Sequence, residues 1–130
     1  MTDHPNVEAA RTSLEGLMKG DVETMAAGIA DNAVWHVPGS NRFAGDFVGK
    51  PAILARLGQM AEAEVQFTVD EIHDIVGGDD HVVALVRLSV TGPSRSASTG
   101  AIWVMHVRDG MATEFWGMNE NQSAVDAVLS

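Results

Sequence analysis

His36 stands between Val34 and Pro38, next to Trp35, in a short apolar stretch. An imidazole titrates near neutral pH, so a histidine facing an apolar pocket is a ready proton shuttle. Side chains alternate along an extended segment, so one of Trp35 and His36 faces a pocket and the other faces away. A half-buried histidine bonded to a backbone carbonyl is the competing reading. Glu114 lies two residues before Trp116 and shares its face. An apolar surround there would raise the carboxyl toward the range useful for acid–base work. More often, a glutamate so placed pairs across a hairpin with a residue such as Arg108. His106 alternates with Trp103 and Met105, so it points away from whatever surface those two line.

Other chemistries are closed to the chain. With no cysteine among its 130 residues, it has no disulfide, zinc-thiolate site, iron–sulfur site or cysteine nucleophile. Tyrosine is absent as well. His73-Asp74 and Asp79-Asp80-His81 flank one turn, where aspartates serve conformation, and no metal is expected. The segment Gly45-Asp46-Phe47-Val48-Gly49-Lys50-Pro51 is one residue too short between its glycines for a phosphate loop. Pro51 also stands where a hydroxyl would hold magnesium. No dinucleotide fingerprint occurs, so no cofactor is expected. Asp and Glu number 18 against 8 Lys and Arg, a net charge of −10, which argues against nucleic acid as a partner. No apolar run approaches the roughly 18 residues of a membrane span, and the expected setting is the cytoplasm.

The elements that must position these groups change period midway. Val7, Ala10, Leu14, Leu17 and Met18 recur at helical spacing, and Gly20 ends that helix. Asp21 caps a second helix carrying Val22, Met25, Ala26 and Ile29. Residues 33–37 read as a short strand and 38–49 as a loop, with Phe43 and Phe47 at a pocket mouth. A third helix starts at Pro51, with Ile53, Leu57 and Met60 on one side. Strands follow at 65–76, 81–91, 96–107 and 111–119, punctuated by Gly77-Gly78-Asp79-Asp80, Gly92-Pro93 and Asp109-Gly110. A short helix over 123–129 ends the order. Residues 82–86 and 101–105 are apolar on both faces, so one side packs on helices and the other meets a further surface, most simply a second subunit.

Three motifs carry a family resemblance. They are Asp31-Asn32-Ala33-Val34-Trp35-His36-Val37-Pro38, then Phe43-Ala44-Gly45 with Gly49-Lys50 ahead of the third helix. The third is Val107-Arg108-Asp109-Gly110, followed by Glu114-Phe115-Trp116. In this order the chain resembles the SnoaL-like branch of the NTF2-like superfamily, which includes polyketide cyclases and relatives of ketosteroid isomerase, over nearly its whole length. The resemblance implies one α+β domain over residues 1–130. It would be a cone-shaped barrel whose curved antiparallel or mixed sheet wraps around three helices from the N-terminal half. It further implies an apolar pocket in the cone and a homodimer formed through the outer sheet face.

The fold hosts many chemistries, so the site must decide among them. Ketosteroid isomerase builds its oxyanion hole from a tyrosine and a protonated aspartate; a chain without tyrosine cannot build it. The polyketide-cyclase branch carries a Glu-His-Trp-like motif on the last strand, with an acid/base aspartate beyond it. Here Phe115 takes the histidine position, and the aspartate position falls at about Asn119. Asparagine donates to a carbonyl or enolate oxygen but does not abstract a proton; alternatively Asn119 caps the final helix. The candidate catalytic residues are therefore His36 as shuttle, Asn119 as oxygen-polarising donor, and Glu114. The candidate substrate-binding residues are Trp35, Phe43, Phe47, Trp103, Met105, Trp116 and Met118, flat or adaptable apolar walls. The expected function is binding of a small, largely apolar molecule; if the protein is an enzyme, the expected chemistry is cofactor-independent isomerase- or cyclase-type proton transfer on a carbonyl or polyketide-like substrate. The alternative is a non-catalytic ligand-binding or dimeric association module.

Overall fold

Turns and caps set the frame. The computed structural model describes residues 3–130. His4 caps α1 (Pro5–Met18) by accepting from the Asn6 amide, and Asp21 caps α2 (Val22–Ala27) by accepting from Thr24. The chain continues through β1 (Ile29–Val37), β2 (Gly45–Val48), α3 (Lys50–Glu62) and β3 (Gln66–Gly77). It ends through β4 (His81–Thr91), β5 (Ser96–Arg108), β6 (Met111–Asn119) and α4 (Gln122–Leu129). Asp109 and Gly110, at φ 53° and 77°, make the tight β5–β6 hairpin that the Asp-Gly pair requires.

The six strands form one sheet in the order β2-β1-β6-β5-β4-β3. β1 runs parallel to β6, and every other neighbouring pair is antiparallel. Two register shifts in β3 strengthen the local twist, and the sheet curls over the helices without closing. Alternation then separates a concave from a convex face. Along β4, Val82, Ala84, Val86, Leu88 and Val90 are buried, while Val83 and Leu85 between them are only half-buried. Val82, Ala84, Val86 and Leu88 pack with Val7 and Leu14 of α1. Ile53 of α3 packs with Met25, Ile29 and Ala33, and Val125 and Leu129 of α4 pack with Phe43, Met60 and Val90. No helix is long and apolar enough to cross a membrane among the described residues.

Two elements differ from the sequence reading. The expected loop contains β2, which pairs Val34, Trp35, His36 and Val37 of β1 with Val48, Phe47, Asp46 and Gly45. Gly45 and Gly49 bracket it at φ 129° and 91°, conformations that resemble loop punctuation in the sequence. β1 also begins four residues early and takes Ile29 from the second helix's stripe. A register shift against β6 between Ile29 and Val34 lets Ile29, Ala30 and Ala33 all be buried.

Candidate functional site

The concave face holds a partly open cavity of about 170 Å³. Trp35, Trp103, Met105 and Phe115 contribute its aromatic and thioether walls, and the Trp35 and Phe115 rings stack at 5.1 Å. A second depression, about 530 Å³, lies by the β5–β6 hairpin and is lined by His81, His106, Asp80 and Asp109. It is wide and open to solvent, so it lacks the enclosure that strips water from a ligand. The cavity under the concave face, less open and far more apolar, is the candidate site.

Its polar lining is Asn6, Ser13, Arg56 and Asn119. Two of these are committed to the scaffold. Asn6 donates its amide to the Gly78 and Asp79 carbonyls at 3.0 Å each, and Ser13 donates to the Met25 carbonyl at 2.8 Å. Asn119 donates to the Gln122 side-chain oxygen at 3.0 Å, and α4 is capped instead by Asn121, so Asn119 is not the helix cap.

Arg56 is the unusual member. It is 3% exposed, and with Thr99 it makes up the buried polar set of the described residues. α3 places it there by helical spacing: Ile53, three residues before, and Met60, four after, are buried on the same side. Its Nε donates to the Phe43 carbonyl at 2.9 Å, and its guanidinium lies 4.5 Å from the Trp35 ring centre and 5.5 Å from that of Phe47. Burial pulls its pKa down to about 10, which leaves it a cation at neutral pH. No carboxylate pairs with it among the described residues.

His36 occupies the opposite face. It sits beside Trp116 in the register, and the two rings stack at 5.0 Å. Its Nε2 lies 2.6 Å from Glu114 and its Nδ1 2.7 Å from Asp46, so the imidazole bridges two carboxylates. The hydrogen bond to Glu114, then that to Asp46, raise its pKa above the ordinary 6.5. His106 continues the row: it stands 3.7 Å from Glu114, edge-on to Trp116 at 4.9 Å, and edge-on to His81 at 4.8 Å. A line of titratable groups thus crosses the convex face from β2 to β4.

The candidate residues divide accordingly. Trp35, Trp103, Met105 and Asn119 line the cavity. His36, Glu114 and Trp116 sit together on the convex face, so the expected meeting of His36 with Asn119 around a pocket does not occur. Met118, 47% exposed, lies two residues beyond Trp116 on that same face. Phe43 is buried against Met60, Val65 and Val125, and Phe47 lies behind the guanidinium of Arg56 rather than in the lining. Glu114 finds His36 and not Arg108. Sequence reasoning missed Arg56 and Asp46. A charge inside the Ile53–Leu57–Met60 stripe was a visible sign for Arg56; Asp46 gave none, because its role depends on β2 pairing.

The family comparison agrees with this architecture. The model of the SnoaL-like domain matches residues 10–115, and the chain belongs to that family. Among solved structures, a protein of unknown function with a cystatin-like fold from Xanthomonas campestris superimposes with a TM-score of 0.89 at 21% identity, over 96% of this chain and 98% of its own. An NTF2-like protein from Burkholderia xenovorans LB400 gives 0.81 at 21% identity, over 100% and 99%. TerC, co-crystallized with polyporic acid, gives 0.82 at 21% identity, over 96% and 98%. At these identities the likeness defines the fold, an NTF2-like α+β architecture. No curated protein matches the chain significantly.

Proposed function

We propose that this protein binds a small, largely apolar molecule in the concave cavity, as a ligand-binding module rather than a proton-transfer enzyme. The observation that carries the reading is the lining: aromatic walls with two available polar groups, Arg56 and Asn119, and no carboxylate or histidine among the described residues. Isomerase- or cyclase-type chemistry needs a base within reach of the substrate. His36 and Glu114, the groups suited to that task, are separated from the cavity by the sheet itself. Arg56 and Asn119 are donors, able to hold an oxygen but not to take a proton at neutral pH. The co-crystallization of TerC with polyporic acid supports a small-molecule ligand for this architecture.

Two further expectations belong to this reading. A second copy of the chain pairs through the convex face, where Ile102 and Met118 are neighbours in the register and 42% and 47% exposed beside half-buried Trp116 and Val104. A cytoplasmic setting fits the cysteine-free, acidic composition.

The binding reading is tested with toluene, since a cavity of about 150 Å³ is known to admit benzene. Saturating toluene should raise the thermal midpoint of the wild type. It should leave Gly117→Leu unmoved, because Gly117 lines the cavity and a Cβ there meets Pro38 and Trp103 at an ordinary 3.5 Å. A toluene response that survives this filling would overturn the assignment.

A further inference from the structure

Arg56 has more hydrogen-bonding capacity than the fold uses. A guanidinium carries five N–H donors in a planar fork. Only the Nε–H is committed, to the Phe43 carbonyl. The groups on Nη1 and Nη2 have no protein acceptor among the described residues. They are not sealed off either, since no side-chain nitrogen or oxygen of those residues is both enclosed and unpartnered. Arg56 lines the cavity, which offers its uncommitted N–H groups a route to an acceptor held there. The guanidinium is held in place by the Trp35 and Phe47 rings and the Phe43 carbonyl.

A buried cation without a counter-charge is costly, and perturbed charged groups of this kind cluster at functional sites. Structural pinning alone would not require the charge, because an uncharged donor could satisfy the Phe43 carbonyl. The planar fork matches a carboxylate in a two-point contact that an amide or alcohol cannot equal. At about 170 Å³ the cavity holds a single ring with a small substituent.

We propose that the ligand is a monocarboxylate on a single-ring apolar body, with its carboxylate paired to the Nη1–Nη2 edge of Arg56 and its ring between Trp35, Trp103 and Phe115. This rests on the cavity-binding reading and gives it a substrate class. Arg56 is then a ligand-contacting residue, with Trp35 serving both as wall and as support for the guanidinium.

Three probes of nearly equal size separate the claims: toluene, benzamide and benzoate, titrated by calorimetry and by tryptophan fluorescence. Benzoate should bind the wild type about tenfold or more tightly than benzamide, the margin of a charge-assisted pair over a neutral one. Arg56→Gln should remove that preference while toluene still binds, and Arg56→Lys should retain part of it. Toluene binding with benzoate no better than benzamide overturns the carboxylate assignment and leaves the cavity reading standing. So does an Arg56→Gln variant that still prefers benzoate. Failure of all three probes to bind overturns both.

Discussion

The two faces of one sheet have been given opposite chemistry. On the concave side, Trp35, Trp103 and Phe115 line a cavity, and Arg56, the one cation among its described lining residues, bonds a backbone carbonyl but meets no carboxylate. On the convex side, one residue along the same strands, His36, Glu114 and His106 form a row in which each group meets an opposite or shareable charge. Paired charges at a half-exposed surface satisfy one another and need nothing further. A cation with no counter-charge beside apolar walls is the group that the proposed ligand would pair with. The contrast is what our proposal rests on: the concave face as the site of small-molecule recognition and the convex face as the surface that pairs with another copy.

The largest effect should come from one substitution made on either side. Ile53→Ala on the concave side, where Ile53 is 1% exposed, should cost about 3 kcal/mol in urea unfolding. Ile102→Ala on the convex side, 42% exposed, should cost less than about 1 kcal/mol for the dissociated chain. Equal costs would erase the distinction between a packed face and an open one. Ile102→Glu should instead shift sedimentation toward the monomer while secondary structure is kept.

A smaller effect concerns the end of the cavity. Asp126 on α4 accepts from the Ser40 amide at 3.1 Å, Asn41 at 2.7 Å and Gln122 at 3.0 Å, and so ties the 38–44 connection to the final helix. Asp126→Ala should lower stability by about 1–2 kcal/mol, and hydrogen exchange should rise in residues 39–44. Unchanged exchange there would show that the connection is held by Phe43 packing alone.

The smallest effect is electrostatic and belongs to the convex face. The bonds from Glu114 and Asp46 favour the protonated imidazole of His36. NMR titration should therefore place its pKa above 6.5, and Glu114→Gln should bring it back toward that value. Because the folded pKa is the raised one, this contribution to stability is fully present below about pH 6.5. It fades as the pH rises through the folded value. The stability difference between wild type and His36→Gln should shrink over that same interval. A pKa at or below 6.5 would contradict the bridging geometry.

The long strands were legible in the sequence because each is long, rich in apolar residues and bounded by glycine-containing turns such as Asp109-Gly110. Faces were harder. Alternation shows that Trp35 and His36 oppose each other, but which one points inward depends on how β1 pairs with β6, and a register shift precedes that contact. Trp116 misleads in the same way. Its partner across the ladder is Val104, whereas inward-facing Trp103 lies opposite Gly117, so Trp116 turns outward. Four-residue β2 could not be read from a glycine-bracketed segment, and with it went Asp46 as the partner of His36. Arg56 differs: its place within the Ile53–Leu57–Met60 stripe is visible in the sequence, but arginine in a helix normally lies on the solvated face, so the spacing alone does not bury it.

The most direct test of the division between faces is calorimetric titration of toluene into two variants side by side. His36→Ala, altered on the convex face, should bind as the wild type does, and Gly117→Leu, filled on the concave face, should not bind at all. Loss of binding in His36→Ala with retention in Gly117→Leu would put the ligand on the wrong side of the sheet and contradict the account.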